Sequence, residues 1–296
     1  MQTTYYWADI LFQMMLLAQI IIVSLIIPSK IISKLKNIYK DYPPESYPKL
    51  YTKSITYYQK KQYSFLYTNY FIFLISIVLW LLGVFIYPEI MQSVMNWNAN
   101  SFITFYFILQ FSPVLLILGR EELKQYKRMR EANSDNIRKA TLHRRSLMDY
   151  ISAKTLGLMV FTYIAFIVFN FYIEQFNFPW FGGYWNIVGI TFMNSINSAV
   201  VVWYLYGKKL NPHQSDLDRY RETKSIIHLV VGVSIFATLF VVLKILVKAV
   251  DMSQLNLFVS SLYVQILAWI QYKFIFKACS GKNMDFSVYK KQQLRA

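Results

Sequence analysis

The stretch REELKQYKRMREANSDNIRKATLHRRSLMDYISAK, Arg120–Lys154, decides the fold. Ten of its residues are cationic: Arg120, Lys124, Lys127, Arg128, Arg130, Arg138, Lys139, Arg144, Arg145 and Lys154. Residues 90–119 before it and 155–173 after it carry no Asp, Glu, Lys or Arg. A helix crosses about 30 Å of hydrocarbon with roughly 20 apolar residues. A link this basic between two runs of that length resists translocation, so it belongs on the cytoplasmic side.

Working outward, further charge-free runs occupy 10–29, 62–88, 175–207, 225–243 and 252–272. The chain therefore reads as an all-α polytopic membrane protein, a seven-helix transmembrane bundle with cytoplasmic helical extensions. Its spans are expected near 8–28, 64–87, 101–119, 155–173, 184–206, 226–248 and 254–276, within one integral membrane domain covering 1–296. The basic residues alternate accordingly. Eight lysines fall in 29–63, five Lys or Arg in 207–225 and six from Lys273 onward, while 88–100 and 174–183 have none. Only Lys244 and Lys248 fall toward the opposite side, so the N-terminus is expected outside and the C-terminus in the cytoplasm.

Composition supports lipid as the solvent. Hydrophobic residues make up 56% of the chain and mean hydropathy is +0.32, against about 45–50% apolar for soluble domains. The net charge of +16 would suggest nucleic acid in a soluble protein. Here the charge gathers in links between apolar runs, so anionic lipid headgroups and a cytoplasmic protein are the expected partners, and nucleic acid is not. One cysteine, Cys279, excludes an intrachain disulfide and a Cys/His zinc site. MQTTYYWADI has no positive n-region, so the first run reads as a retained span. A bacterial inner membrane is the favoured location.

The inner side holds the larger links. A helical pattern over Ile31–Lys40 extends span one to Tyr42-Pro43-Pro44, where proline forbids continuation. Ser54–Ser64 leads into span two, and Glu121–Glu131 prolongs span three. Ser134 and Asp135 read as the cap of a short basic helix over Asn136–Tyr150. Ser215 with Asp216 and Asp218 opens the helix that becomes span six.

Polar residues inside spans are the best pointers to function. In span five Asn186, Gly189, Asn194 and Asn197 follow i, i+3, i+8 and i+11, one broad face. Span seven adds Ser261 and Gln265. Asn186, Asn194, Asn197, Ser261 and Gln265 are the expected ligand or interface set, although such residues often simply bond helices together. Gln110 and Ser112 precede Pro113 in span three, where a distortion is expected. Arg138, Lys139, Arg144 and Arg145 are the expected contacts for anionic lipid or a partner.

Carboxylates are missing from mid-span positions, which counts against a proton-coupled pump. Lys273 lies too near the end of the last span for a Schiff base, and Lys244 is expected to snorkel outward. His143 and His213 show no metal-binding spacing, so no catalytic residue, metal or cofactor is assigned. The favoured function is a non-enzymatic sensor, receptor-like or partner-binding membrane protein. The alternatives are a channel or facilitator using the polar face of spans five and seven, and a membrane enzyme acting on a lipid headgroup.

Overall fold

The computed structural model describes residues 6–86, 103–132, 145–278 and 284–290. Among the described residues seven helices are long and apolar enough to cross a membrane: α1 (Trp7–Asp41), α2 (Ile55–Phe85), α3 (Ile103–Ala132), α4 (Ala153–Glu174), α5 (Tyr184–Tyr206), α6 (Asp216–Ala249) and α7 (Ser253–Lys273). Among the described residues there is no strand. The chain is an all-α, multi-pass membrane protein. In hydrocarbon the backbone must bond to itself, and a helix does so within one segment.

The polar extensions continue the membrane helices. α1 stops at Asp41, immediately before Tyr42-Pro43-Pro44. Arg120–Ala132 carries α3 past its apolar run, and α6 begins at Asp216, where Ser215 Oγ accepts the Asp218 amide at 3.1 Å. One expectation needs correction. The described part of the basic segment, from Arg145 to Tyr150, is not α-helical. Ser146 starts a tight 3₁₀ turn, Leu147–Asp149, by accepting from the Met148 amide while its own amide donates to Asp149. Ser152 then caps α4. Two caps six residues apart leave no room for a longer helix.

Wide π-turns occur in three spans, the one at Leu82–Ile86 closing the described part of α2. Ile22–Ile26 precedes Pro28 and includes Ser24, whose carbonyl the Pro28 ring would crowd in a regular helix. Val114–Gly119 follows Pro113.

The helices pack in two groups. Val23, Ile27, Ile31 and Ile32 of α1 meet Phe65 of α2 and Ala268 of α7, with Phe111 of α3 against them. Toward the other end of α1, Phe12, Leu16 and Ile20 meet Ile103 and Val264. The second group joins Leu205 of α5 to Ile227 and Val231 of α6, with Met159 of α4 and Tyr150 and Ile151 alongside. Contact between α6 and α7 links the groups. α5 is the barest helix, with only 6% of its most apolar window covered by protein. Gly183 takes φ +54° at the turn into α5, a conformation that glycine adopts without strain.

Candidate functional site

The membrane interior of the first helix group is polar. Gln19 and Ser24 of α1, Gln110 of α3 and Ser261 of α7 are all at most 1% exposed. They bond to one another across three helices. Ser261 Oγ donates to Gln19 Oε1 at 2.8 Å, and Gln19 Nε2 donates to Gln110 Oε1 at 2.9 Å. Gln110 Nε2 then donates to Ser24 Oγ at 3.0 Å and to the Tyr106 hydroxyl at 3.2 Å. Gln265 Nε2 reaches the Met15 carbonyl at 2.8 Å. In lipid no water competes for these groups, so the knot holds α1, α3 and α7 in one register.

α2 contributes a line on the same interior. Gln62, Asn69 and Ser76 recur every seven residues and are all buried. Asn69 Nδ2 bonds back to the Phe65 carbonyl at 2.7 Å, leaving Oδ1 buried with no hydrogen-bond partner. Seven residues of helix rise about 10.5 Å, so the line runs about 21 Å along α2.

The residues expected from span five lie elsewhere. Asn197 Nδ2 donates to Ser234 Oγ of α6 at 2.8 Å. Asn194 is half-buried with Oδ1 unbonded, and Asn186 sits at the far end of α5 against Gly182. So Ser261 and Gln265 belong to the α1–α7 side, while Asn194 and Asn197 belong to the α5–α6 side. The structure does not bring the two sets together. Sequence reasoning missed Gln19, Ser24, Gln62 and Asn69. The heptad spacing of Gln62, Asn69 and Ser76 was the available signal.

Lys244 lies on α6 beside the start of α7. Its Nζ turns to α7, 3.0 Å from Ser260 Oγ and 3.4 Å from the Asn256 carbonyl.

At the basic end the links are knitted together. Arg128 Nη2 donates to Glu121 Oε1 at 2.6 Å, and Tyr57 donates to Glu121 Oε2 at 2.9 Å. Arg128 Nε and Gln125 Nε2 reach Thr52 and the Leu50 carbonyl of the first link. One guanidinium meets a carbonyl of the last turn of α5, where helix carbonyls lack intrahelical donors, and two more meet carbonyls of the link just beyond it. Arg145 reaches the Leu205 carbonyl at 3.3 Å, Arg219 the Gly207 carbonyl at 2.6 Å, and Arg130 the Lys209 and Leu210 carbonyls at 2.9 and 3.1 Å.

The tail turn Phe286–Tyr289 is wedged between the α1–α2 link and the α5–α6 link. The Phe286 ring stacks on Tyr42 at 3.8 Å, Asn211 Nδ2 donates to the Tyr289 hydroxyl at 2.6 Å, and the Asp285 amide donates to Asp218 at 3.0 Å. Burial pushes the Tyr289 phenol up to about 12, against the opposing hydrogen bond from Asn211. Hydrogen bonds from the Ser287 hydroxyl and amide hold the Asp285 carboxyl below its usual range.

Arg145 thus lies at this end with one donor committed to a backbone carbonyl. Arg138, Lys139, Arg144, His143, Cys279 and the link 88–100 lie outside the described residues. The His213 ring packs edge-on to Tyr289. Among the described residues no three His, Cys, Asp or Glu side chains gather as a metal-binding group. No family model matches the chain, and no curated protein or solved structure matches it either, so the site is read from its geometry alone.

Proposed function

We propose that this multi-pass membrane protein is a non-enzymatic sensor or partner-binding protein that engages an anionic partner at its basic, cytoplasmic end. The observation that carries the reading is the tail clasp. Phe286 and Tyr289 tie the α1–α2 link to the α5–α6 link, so separate connections form one built surface. That surface also leaves Leu123, Met148 and Leu217 more than half exposed among charged neighbours. Exposed apolar residues on a polar, ordered platform suit contact with another protein. The knot around Gln110 satisfies itself, which suits a rigid holder of the platform.

Photo-crosslinkers at Leu123 and Leu217, used in native membranes, test this. A discrete protein adduct from both, and none from lipid-facing Phe71, is the expected result. Diffuse lipid adducts from all three positions would end the reading.

The unbonded Asn69 Oδ1 favours a second reading, a facilitator for a small neutral solute along Gln62, Asn69 and Ser76. Flux into protein-containing liposomes that is lost in Asn69→Leu would support it. No flux across a broad panel of neutral solutes would remove it.

A further inference from the structure

We propose that the carboxyl end of α5 binds an anionic phospholipid by its phosphate. A cavity of about 20 Å³ lies where α5 leaves the membrane, lined by Trp203, Tyr204, Lys208, Lys209, Arg219 and Glu222 among others. Such a volume takes one or two water-sized polar groups. Three cations face one carboxylate, and Gln214 Nε2 already engages that Glu222 carboxylate at 2.5 Å. Asp216 offsets part of the Lys209 charge at 3.3 Å. Lys208 is exposed, and the Arg219 guanidinium is held in place by the Gly207 carbonyl. Glu122 stands near Glu222 and Arg145 near Arg219. With Lys208, Lys209, Arg219 and Arg145 against Glu222, Asp216 and Glu122, the balance at the cavity is positive.

The occupant is a lipid rather than a soluble anion because of what adjoins the cavity. Trp203 is 65% exposed, and Ile196 and Phe192 continue the same bare face along α5. Their spacing, i, i+4 and i+11, makes one stripe parallel to an acyl chain. A phosphodiester on Lys208 and Arg219 would lay its chains along that stripe. An indole at the headgroup level beside basic residues is the usual arrangement at a membrane interface.

The inference rests on reading the basic end as the surface that meets an anionic partner. Its test is fluorescence of the full chain in phosphatidylcholine bilayers containing acyl-brominated phosphatidylglycerol or, at equal mole fraction, acyl-brominated phosphatidylcholine. The brominated glycerol lipid should quench more, and the excess should vanish in Trp203→Phe. Lys208→Glu should weaken the preference at least about five-fold, since it removes one basic residue and adds a carboxylate near an anionic surface, while Lys208→Arg keeps it. Equal quenching by the two lipids, or a preference that survives Lys208→Glu, would overturn the site. Loss of the preference in millimolar inorganic phosphate would assign it to a free anion and also overturn the lipid. Equal quenching alongside a discrete crosslink from Leu123 would remove the lipid and keep the protein partner. The opposite pattern would remove the protein partner alone.

Discussion

The side chains of Gln19 and Gln110 meet amide to amide at 2.9 Å between α1 and α3, at 0% and 1% exposure. Each is also bonded to a serine, Gln19 to Ser261 and Gln110 to Ser24. Losing Gln19 therefore orphans groups on α3 and α7, and losing Gln110 orphans Gln19 and Ser24 on α1.

Gln110→Leu is expected to cost about 1–3 kcal/mol, the penalty of leaving buried polar groups unsatisfied. That exceeds the average of about 0.6 kcal/mol for a polar contact between membrane helices. The double variant Gln19→Leu/Gln110→Leu should cost less than the sum of the singles, because each removes the other's partner. Unfolding in mixed micelles measures both, and strict additivity would show that the two amides act independently.

Arg128 and Lys127 are adjacent in sequence and should differ in effect. The Arg128–Glu121 pair is 2.6 Å long with side chains 23% and 11% exposed, whereas Lys127–Glu131 is 4.0 Å long at 79% and 64%. Arg128→Met leaves Glu121 partly buried without its cation and should destabilise by about 2–3 kcal/mol, near the lower bound for a broken buried pair. Lys127→Met should change stability by less than about 0.5 kcal/mol. Equal effects in the same unfolding measurement would contradict the difference in burial.

Two glycines of the α5 region should respond with opposite sign. A Cβ at Gly207 would lie 2.2 Å from the Trp203 carbonyl, the same atom that accepts the Gly207 amide at 2.7 Å. Gly207→Ala must displace that end and should cost about 1–3 kcal/mol. At Gly189, mid-helix, a Cβ meets nothing within 4 Å. Gly189→Ala should stabilise by about 0.5–1 kcal/mol through the unfolded chain. A destabilised Gly189→Ala would mean that this face of α5 is covered.

The tail turn carries a pH dependence at its acidic edge. Asp285 is held below its usual range by Ser287, and Tyr289 stays neutral up to about 12. A carboxyl with a lowered folded value stabilises the turn above the ordinary aspartate value of about 3.9. That contribution is lost as pH falls through the lowered value. Exchange protection at the Ser287 amide, corrected for intrinsic rate, should be flat from about pH 5 to 7 and decline below about pH 4. Asp285→Asn should flatten the decline.

Much of the fold was legible because lipid imposes one long-range rule. Residues 184–206 and the helix Tyr184–Tyr206 coincide, since glycine bounds that run at both ends and charge follows at Lys208. Proline marked the end of α1 at Asp41. The interior was less legible. Gln19 and Gln110 are separated by 91 residues, and their pairing depends on which helices adjoin. Asn194 and Ser261 both looked like cavity residues because each sits mid-span, yet α5 and α7 belong to different helix groups. The Arg145–Tyr150 turn was misjudged because a capping serine inside a basic, leucine-bearing segment was given less weight than its helical pattern.

Dual reporters active on only one side of the membrane, fused after residues 40, 94, 135, 178, 215 and 285, test the central claim most directly. The account expects inside, outside, inside, outside, inside and inside, with every heavily basic link on one side. An outside signal at 135 or 215, or an inside signal at 94 or 178, would contradict the seven-helix threading.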